Sequence, residues 1–321
     1  MVSCRSKYGL AEVVHIPDTP LLDERMKNIL RKIPFPIALI IPIEVVLLFL
    51  LIFPLIVEIW VGLTNWTPLL GTNWWHAKFV GLKNYYEIIF KDSRFIMSVV
   101  RTIFITTVCV LVELGLGLVY ALLFLKDFRG KKICVSIMLL PMMIIPLVAG
   151  YNFFMLFIEN GPINQVLSFL LGRQVVFHWM SHPWLGLVTI MIVDIWEWTP
   201  LMFLILMAGL TSVPENQVKA AVSLGAKNFQ IFRMLTLPLI KPIVLIAVVI
   251  RGMELFKIFD VVFILTRGGP GTTTETISYY LYSAGFTYMR LGYIAAGAFI
   301  VLAIFLTASY YILKPVVKEI A

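Results

Sequence analysis

Charge is what this sequence has least of. Only 14% of its 321 residues are Asp, Glu, Lys or Arg, where a soluble globular domain carries roughly a quarter. Cysteine is also scarce. Cys4, Cys109 and Cys134 fit neither a zinc motif nor a disulfide framework; the second and third fall in or beside apolar stretches and read as small buried thiols. Of the four histidines, His15, His76, His178 and His182, only the last two share a helical i,i+4 spacing, and Pro183 follows them directly. No metal pair is expected there. Nothing matches Gly-x-x-x-x-Gly-Lys-Ser/Thr, and Gly268, Gly269 and Gly271 lack the following lysine, so the chain is expected to bind no nucleotide itself and the glycines to form a turn. Repeated ten-residue alternation is missing, which argues against a β-barrel. Although the net charge is +8, no basic module is interleaved with aromatics, and no nucleic-acid partner is expected.

What is abundant is apolar sequence. Hydrophobic residues make up 60% of the chain and gather in blocks of about 20 or more, the length that crosses a bilayer. In lipid the backbone must satisfy its own hydrogen bonds, so the blocks read as helices. Spans are placed at 37–61, 96–125, 134–158, 184–210, 240–266 and 291–313, preceded by a leader, 1–36, and followed by a tail, 314–321. The first block follows a mixed-charge leader, runs too long for a signal peptide and has no small-residue cleavage pattern, so it reads as a retained span.

Lys and Arg set the orientation. The leader, the 126–133 turn, the 211–241 loop and the tail hold 6, 4, 4 and 2 of them; the 62–95, 159–183 and 267–290 loops hold 4, 1 and 2. The first group is therefore read as cytoplasmic, with both termini inside. Trp66, Trp74, Trp75, Tyr85 and Tyr86 cluster beyond span one, as an interfacial aromatic belt would.

The loop between spans four and five, 211–239, is long for a bundle connection. Pro214 suits the first turn of a helix, Glu215 its positive end, and Gly225 a left-handed break before a second short helix. Ala220, Ala221 and Gly225 give a low-profile surface. Phe229, Phe232 and Leu235 recur every three residues, which predicts one apolar face, and Pro238 marks the entry to span five. No group here does acid–base or nucleophilic chemistry. The features fit a docking surface, but taken alone they favour a structured loop lying on its own bundle.

This stretch resembles the signature loop of the permeases of ABC importers: Glu-Ala-Ala, three residues, Gly, then about nine residues before Ile-x-Leu-Pro. Ala220, Ala221, Gly225, Leu237 and Pro238 match; Lys219 stands where Glu is usual and Leu224 where Asp is common. The resemblance extends over nearly the whole chain to the carbohydrate branch, the maltose, trehalose and glycerol-3-phosphate type. It is carried by Phe79-Val-Gly-Leu-Lys-Asn-Tyr85, Asp194-Ile-Trp-Glu-Trp-Thr-Pro200, Phe259-Asp260, Leu265-Thr-Arg-Gly-Gly-Pro-Gly271 and Thr274-Glu-Thr276. The resemblance implies an all-α, six-helix membrane fold of the type I importer permease. It implies a coupling helix seated on an ATPase, with Glu215, Lys219, Ala220, Ala221, Gly225, Ala226, Phe229, Phe232, Leu237 and Pro238 at or beside the contact. It also implies a second homologous permease, two cytosolic ATPase subunits that hold ATP and Mg, an external solute-binding protein, and a di- or oligosaccharide as solute. A glycerol-3-phosphate or polyol importer is the nearer alternative; an intramembrane enzyme using Asp194, Glu197 or Asp260, or a passive channel, is the more distant one.

Polar residues inside the spans are the candidates for a solute path, because each charge at mid-membrane costs roughly 2.5–3.5 kcal/mol on insertion scales. Arg251, Glu254, Lys257 and Asp260 recur every three residues with alternating sign. On one continuous helix this ladder drifts about 180°, so it lines a path or gate, or pairs with the second permease. In span four, Asp194, Trp196, Glu197 and Trp198 combine carboxylates with aromatic rings, which suits sugar hydroxyls and C–H faces and also suits plain helix packing. Tyr151 and Asn152 interrupt an apolar run after Pro141 and Pro146. Glu44, Glu58 and Glu113 read as lone packed or interfacial acids.

Overall fold

A computed structural model describes residues 35–71 and 73–320, with side chains over 40–69, 71 and 73–314. The leader therefore lies almost wholly outside the described residues. Two compact units, ending and beginning at Trp60 and Val61, divide the chain and are taken in turn.

The first unit is the helix α1, Phe35–Gly62, whose last turn enters the second. It is apolar nearly throughout and carries Pro42 and Pro54 in its interior. The expected span 37–61 falls within it.

The second unit is a helical bundle; among the described residues there is no strand, only an isolated bridge between Thr64 and Phe79. An amphipathic helix α2, Lys83–Phe90, leads to the long α3, Ser93–Leu123. The side chain of Asn84 in α2 donates to the carbonyls of Gly62 and Thr64 at 2.9 and 2.8 Å, which fixes α2 against the chain at 62–64. Asp92 caps α3 through the Phe95 N–H at 2.9 Å. After a basic turn come α4, Lys131–Leu139, α5, Pro146–Phe157, and α6, Pro162–Leu170. The next long helix is α7, Pro183–Thr211, capped by His182.

α7 lies along α3, and the sequence of α3 shows why. Cys109, Glu113, Gly117 and Ala121, one per turn, are buried. Small residues at helical spacing let two backbones approach closely. A Cβ on Gly117 would stand 3.0 Å from the Phe203 backbone nitrogen, so only glycine fits there.

Beyond α7 come α8, Glu215–Ser223, and α9, Asn228–Ile231, which passes through a π-turn, Phe232–Thr236, into α10, Leu237–Phe256. Two short helices, α11, Asp260–Leu265, and α12, Ile277–Tyr282, precede the last, α13, Leu291–Ile320. α13 runs on through most of the stretch expected as a tail. Gly268 and Gly271 take positive φ, +79° and +63°, as the expected turn requires.

Among the described residues, five helical stretches are long and apolar enough to cross a membrane: Ile40–Gly62, Ser93–Leu123, Pro183–Thr211, Asn228–Leu265 and Leu291–Lys314. They coincide with five of the six expected spans. The third, 134–158, is not one helix. Pro141 and Pro146 lack the N–H an α-helix needs and clash with the preceding turn; the chain forms a 3₁₀ turn, Pro141–Met143, between α4 and α5. The fifth is interrupted at Lys257–Phe259, so the ladder Arg251 to Asp260 does not lie on one continuous helix and its calculated drift does not apply.

Candidate functional site

The functional geometry begins with Arg251, on α10, which is 1% exposed. A guanidinium offers five donors in a planar fork, and four contacts satisfy it. Nε and Nη2 donate to the two carboxylate oxygens of Glu113 on α3 at 2.7 and 2.8 Å. Nη2 also donates to Asp194 on α7 at 2.8 Å, and Nη1 to Glu254, one turn along α10, at 3.0 Å. The Trp198 ring lies 4.9 Å from the guanidinium carbon, a cation–π contact. Three long helices are thus joined by one cation.

Beside this network is a cavity of ≈ 110 Å³, lined by Asp194, Glu197 and Trp198 of α7, Arg251 and Glu254 of α10, Pro146 at the start of α5, and the irregular segment Lys257–Asp260. It sits where two interrupted helices meet. Non-helical backbone at membrane depth is tolerated where it is buried in protein or lines a water-filled cavity, and broken helices are where transporters place solute sites. Glu197 is nearly fully buried, yet among the described residues neither carboxylate oxygen has a hydrogen-bond partner. A buried acceptor without a donor costs about 1–3 kcal/mol or more, so its presence calls for a ligand or water that donates to it.

Of the sequence candidates, Asp194, Glu197, Arg251 and Glu254 are brought together. Tyr151 and Asn152 are not: both lie on exposed faces of α5, away from the cavity lining. Trp196 also points elsewhere, its ring packed edge-on against Phe153 at 5.1 Å. On a helix, 196 is turned away from both 194 and 197, so adjacency in sequence placed it on the wrong face. Glu113 is the residue sequence reasoning misread as a lone acid; its partner is 138 positions away, and no local pattern links them. Lys257 and Asp260 join the lining through the break that ends α10. His178 pairs with Glu159 at 2.6 Å.

At the other end of α7 the 211–239 segment folds as two short helices broken by Gly225, at φ +81°. Pro214 is the N-cap of α8 and not within its first turn. Lys219 pairs along the exposed face with Glu215 at 2.9 Å. Ala220, Ala221, Leu224, Gly225, Ala226, Met234 and Leu235 line a shallow groove of ≈ 640 Å³. The expected single face of Phe229, Phe232 and Leu235 does not form. Phe229, on the short α9, is 70% exposed, while Phe232 and Leu235, within the π-turn, are half-buried. Leu237 and Pro238 begin α10.

Residues 113–319 match the family described as the binding-protein-dependent transport system inner membrane component. A probable ABC transporter permease protein, y4oQ, of Sinorhizobium fredii is 34% identical over 255 residues, 78% of this chain and 80% of its own length. The trehalose/maltose transport system permease protein MalF of Thermococcus litoralis is 31% identical over 263 residues, 82% of this chain and 85% of its own. Among solved structures, a chain of a bacterial ABC transporter that imports the acidic polysaccharide alginate superposes with a TM-score of 0.77, covering 92% of this chain and 99% of that one, at 18% identity.

Proposed function

The chain belongs to the family of binding-protein-dependent transport system inner membrane components, and from that premise we propose that it is the permease subunit of an ABC importer for a sugar, a di- or oligosaccharide. The observation that carries the solute reading is the buried, donor-less carboxylate of Glu197 at the junction of broken helices. Sugar hydroxyls supply the donors it lacks. The naming of the Thermococcus litoralis relative for trehalose and maltose supports the same class.

Charge discriminates against the glycerol-3-phosphate alternative. Four carboxylates, Asp194, Glu197, Glu254 and Asp260, line the cavity against two cations, Arg251 and Lys257, and Arg251 is already held by carboxylates. A phosphate monoester would meet net negative charge in a low-dielectric site. Size argues for a shared site. About 110 Å³ holds three or four waters at ~30 Å³ each, too little for a disaccharide, so a second, homologous permease facing this surface completes the path.

The groove between α8 and α10 is proposed as the seat for a cytosolic ATPase. Val222, Leu224, Phe229 and Met234 are exposed around it, and an apolar patch at the end of a bundle marks a protein contact. Ala220 and Gly225 let a partner backbone approach. Two ATPase subunits bind ATP and Mg; this chain holds neither. Both termini face the cytoplasm, following the Lys and Arg distribution, and an external binding protein delivers the sugar to the opposite end.

The test is to recover the chain from its native membrane in mild detergent and identify what accompanies it. Recovery of a second permease and an ATPase, with hydrolysis stimulated by the binding protein and sugar together, supports the reading. Recovery of this chain alone, or only with copies of itself, removes it.

A further inference from the structure

A second pocket, of ≈ 350 Å³, lies at the end of the bundle remote from the 211–239 segment, between the chain leaving α1, the start of α2 and the start of α13. It takes no part in the reading above. Lys78, Lys83 and Arg290 line it together with a single carboxylate, Glu87. Glu87 reaches only Lys83, at 3.9 Å, too long for a good charge-assisted hydrogen bond. Among the described residues neither Lys78 nor Arg290 has a carboxylate partner. Arg290 is held by its face against the Tyr293 ring at 4.0 Å, which leaves the in-plane N–H fork to other acceptors.

The neighbouring surface is apolar. Leu82, which precedes α2, and Tyr86, Ile89 and Phe90 on it are exposed, at the spacing of one helical stripe, while Lys83 and Glu87 face the pocket. A short helix with an exposed apolar stripe, flanked by Lys83 on the helix and by Lys78 and Arg290 across the pocket, has the combination that suits a membrane interface. α2 directly precedes the membrane-length helix α3, and Arg290 directly precedes the membrane-length helix α13, so stripe and cations lie together where these helices begin.

We propose that this pocket binds the phosphate of an anionic glycerophospholipid, with Arg290 as a fork on its oxygens and Lys78 and Lys83 as point charges, while the acyl chains run along the apolar stripe of α2. Glu87 accepts a hydroxyl of the head group, which favours phosphatidylglycerol among anionic lipids.

The experiment is native mass spectrometry of the purified transporter complex, incubated with phosphatidylglycerol or phosphatidylcholine, with wild type beside the K78Q/K83Q/R290Q variant. Three cations less one carboxylate leave two net charges, and each strengthens binding to an anionic lipid roughly fivefold. Wild type is expected to prefer phosphatidylglycerol about 25-fold, and the variant less than about threefold. Equal retention of the two lipids by wild type, or an unchanged preference in the variant, overturns the proposal. If inorganic phosphate or glycerol phosphate at millimolar concentration protects the wild type against heat as well as the lipid does, the site belongs to a soluble anion and the lipid assignment fails. If the variant keeps its lipid but loses stimulation by the binding protein, the cations serve an acidic protein face and the assignment again fails. Should the triple variant not assemble, R290Q and K78Q are measured singly, each with an expected loss of about fivefold.

Discussion

Truncating Arg251 to alanine removes the one cation that stands between Glu113 and Asp194. Both carboxylates are buried, at 0% and 5% exposure, and together they receive three of the four hydrogen bonds that the guanidinium makes. Removing one partner of a buried ion pair costs about 3–5 kcal/mol, because the charge left behind has no water to turn to. Here two are left behind, on helices that pack along each other, so the upper part of that range applies. Arg251→Lys keeps a charge but not the fork; it cannot serve both oxygens of Glu113 and Asp194 at once, and the loss is about 1–3 kcal/mol. In thermal unfolding of detergent-solubilised protein, followed by fluorescence-detected size exclusion, R251A should melt roughly 8–10 °C below wild type at about 2 °C per kcal/mol. The companion measurement is a double-mutant cycle with E113A. If the pair exists, removing the second member costs much less once the first is gone, and the coupling is at least about 2 kcal/mol. An R251A protein that melts with wild type, or an R251A/E113A double variant whose loss is the plain sum of the singles, would refute the network.

Three further outcomes follow from other parts of the chain. Glu197→Leu removes an acceptor with no donor among the described residues, so it should stabilise the fold by about 1–3 kcal/mol while lowering sugar uptake by the reconstituted transporter at least tenfold on the order of one lost charged hydrogen bond; a variant that transports as wild type, or one that melts lower, makes Glu197 structural. Gly225→Ala meets no atom within 4 Å, so its cost of about 1–2 kcal/mol is purely the left-handed backbone, and co-purified ATPase should fall in the order Gly, Asn, Ala at this position; equal recovery of all three dissociates the turn from docking. Asp92 is pushed upward by burial, but hydrogen bonds from Tyr280, the Phe95 N–H, Tyr293 and the Arg94 N–H outweigh this and hold it below the usual carboxylate range. A depressed folded value contributes stability that is complete above the unfolded value near ~3.9 and is lost as pH falls through the folded one. D92N should therefore melt below wild type at pH 7 and at pH 5, with the gap closing only below about pH 4; a gap unchanged in acid denies the carboxylate its role.

The long helices were legible because lipid as solvent leaves hydropathy and length as nearly sufficient signals. α1, α3, α7 and α13 fall where the apolar blocks lie. The interruptions were signalled but misjudged. Pro141 and Pro146 were visible in the third block, yet its total length read as one crossing. Nothing as plain as proline marks the break after Phe256, where Lys257, Ile258 and Phe259 leave the helix. The 211–239 segment was legible as two short helices because Pro214 and Gly225 are local signals, but the π-turn at Phe232–Thr236 has no local signature. The network around Arg251 was half legible. Its own helix displayed Arg251 and Glu254, whereas Glu113 belongs to it only through the packing of α3 on α10, which exists in three dimensions alone.

The cavity's position between two differently anchored groups of helices suggests how it opens. α3, α7 and α10 are pinned to one another by Arg251. α11 packs instead mainly on α5, the helix that follows the other break. Both breaks carry irregular backbone, and irregular connections between packed elements are where hinges sit. α5 and α11 should then move as one body against the Arg251 block, widening the space beside Glu197 as they go. A cross-link inside that body ought to be harmless. A Cβ placed on Gly150 of α5 would stand 3.4 Å from the Ile264 Cβ of α11, close to the ≈ 3.5–4.5 Å span of a disulfide. In a background with Cys4, Cys109 and Cys134 replaced by serine or alanine, G150C/I264C should form a disulfide under mild oxidation, and the reconstituted transporter should take up sugar at close to the rate of the reduced form. If oxidation stops uptake and reduction restores it, α5 and α11 must part during the cycle, and the hinges lie somewhere other than the two breaks.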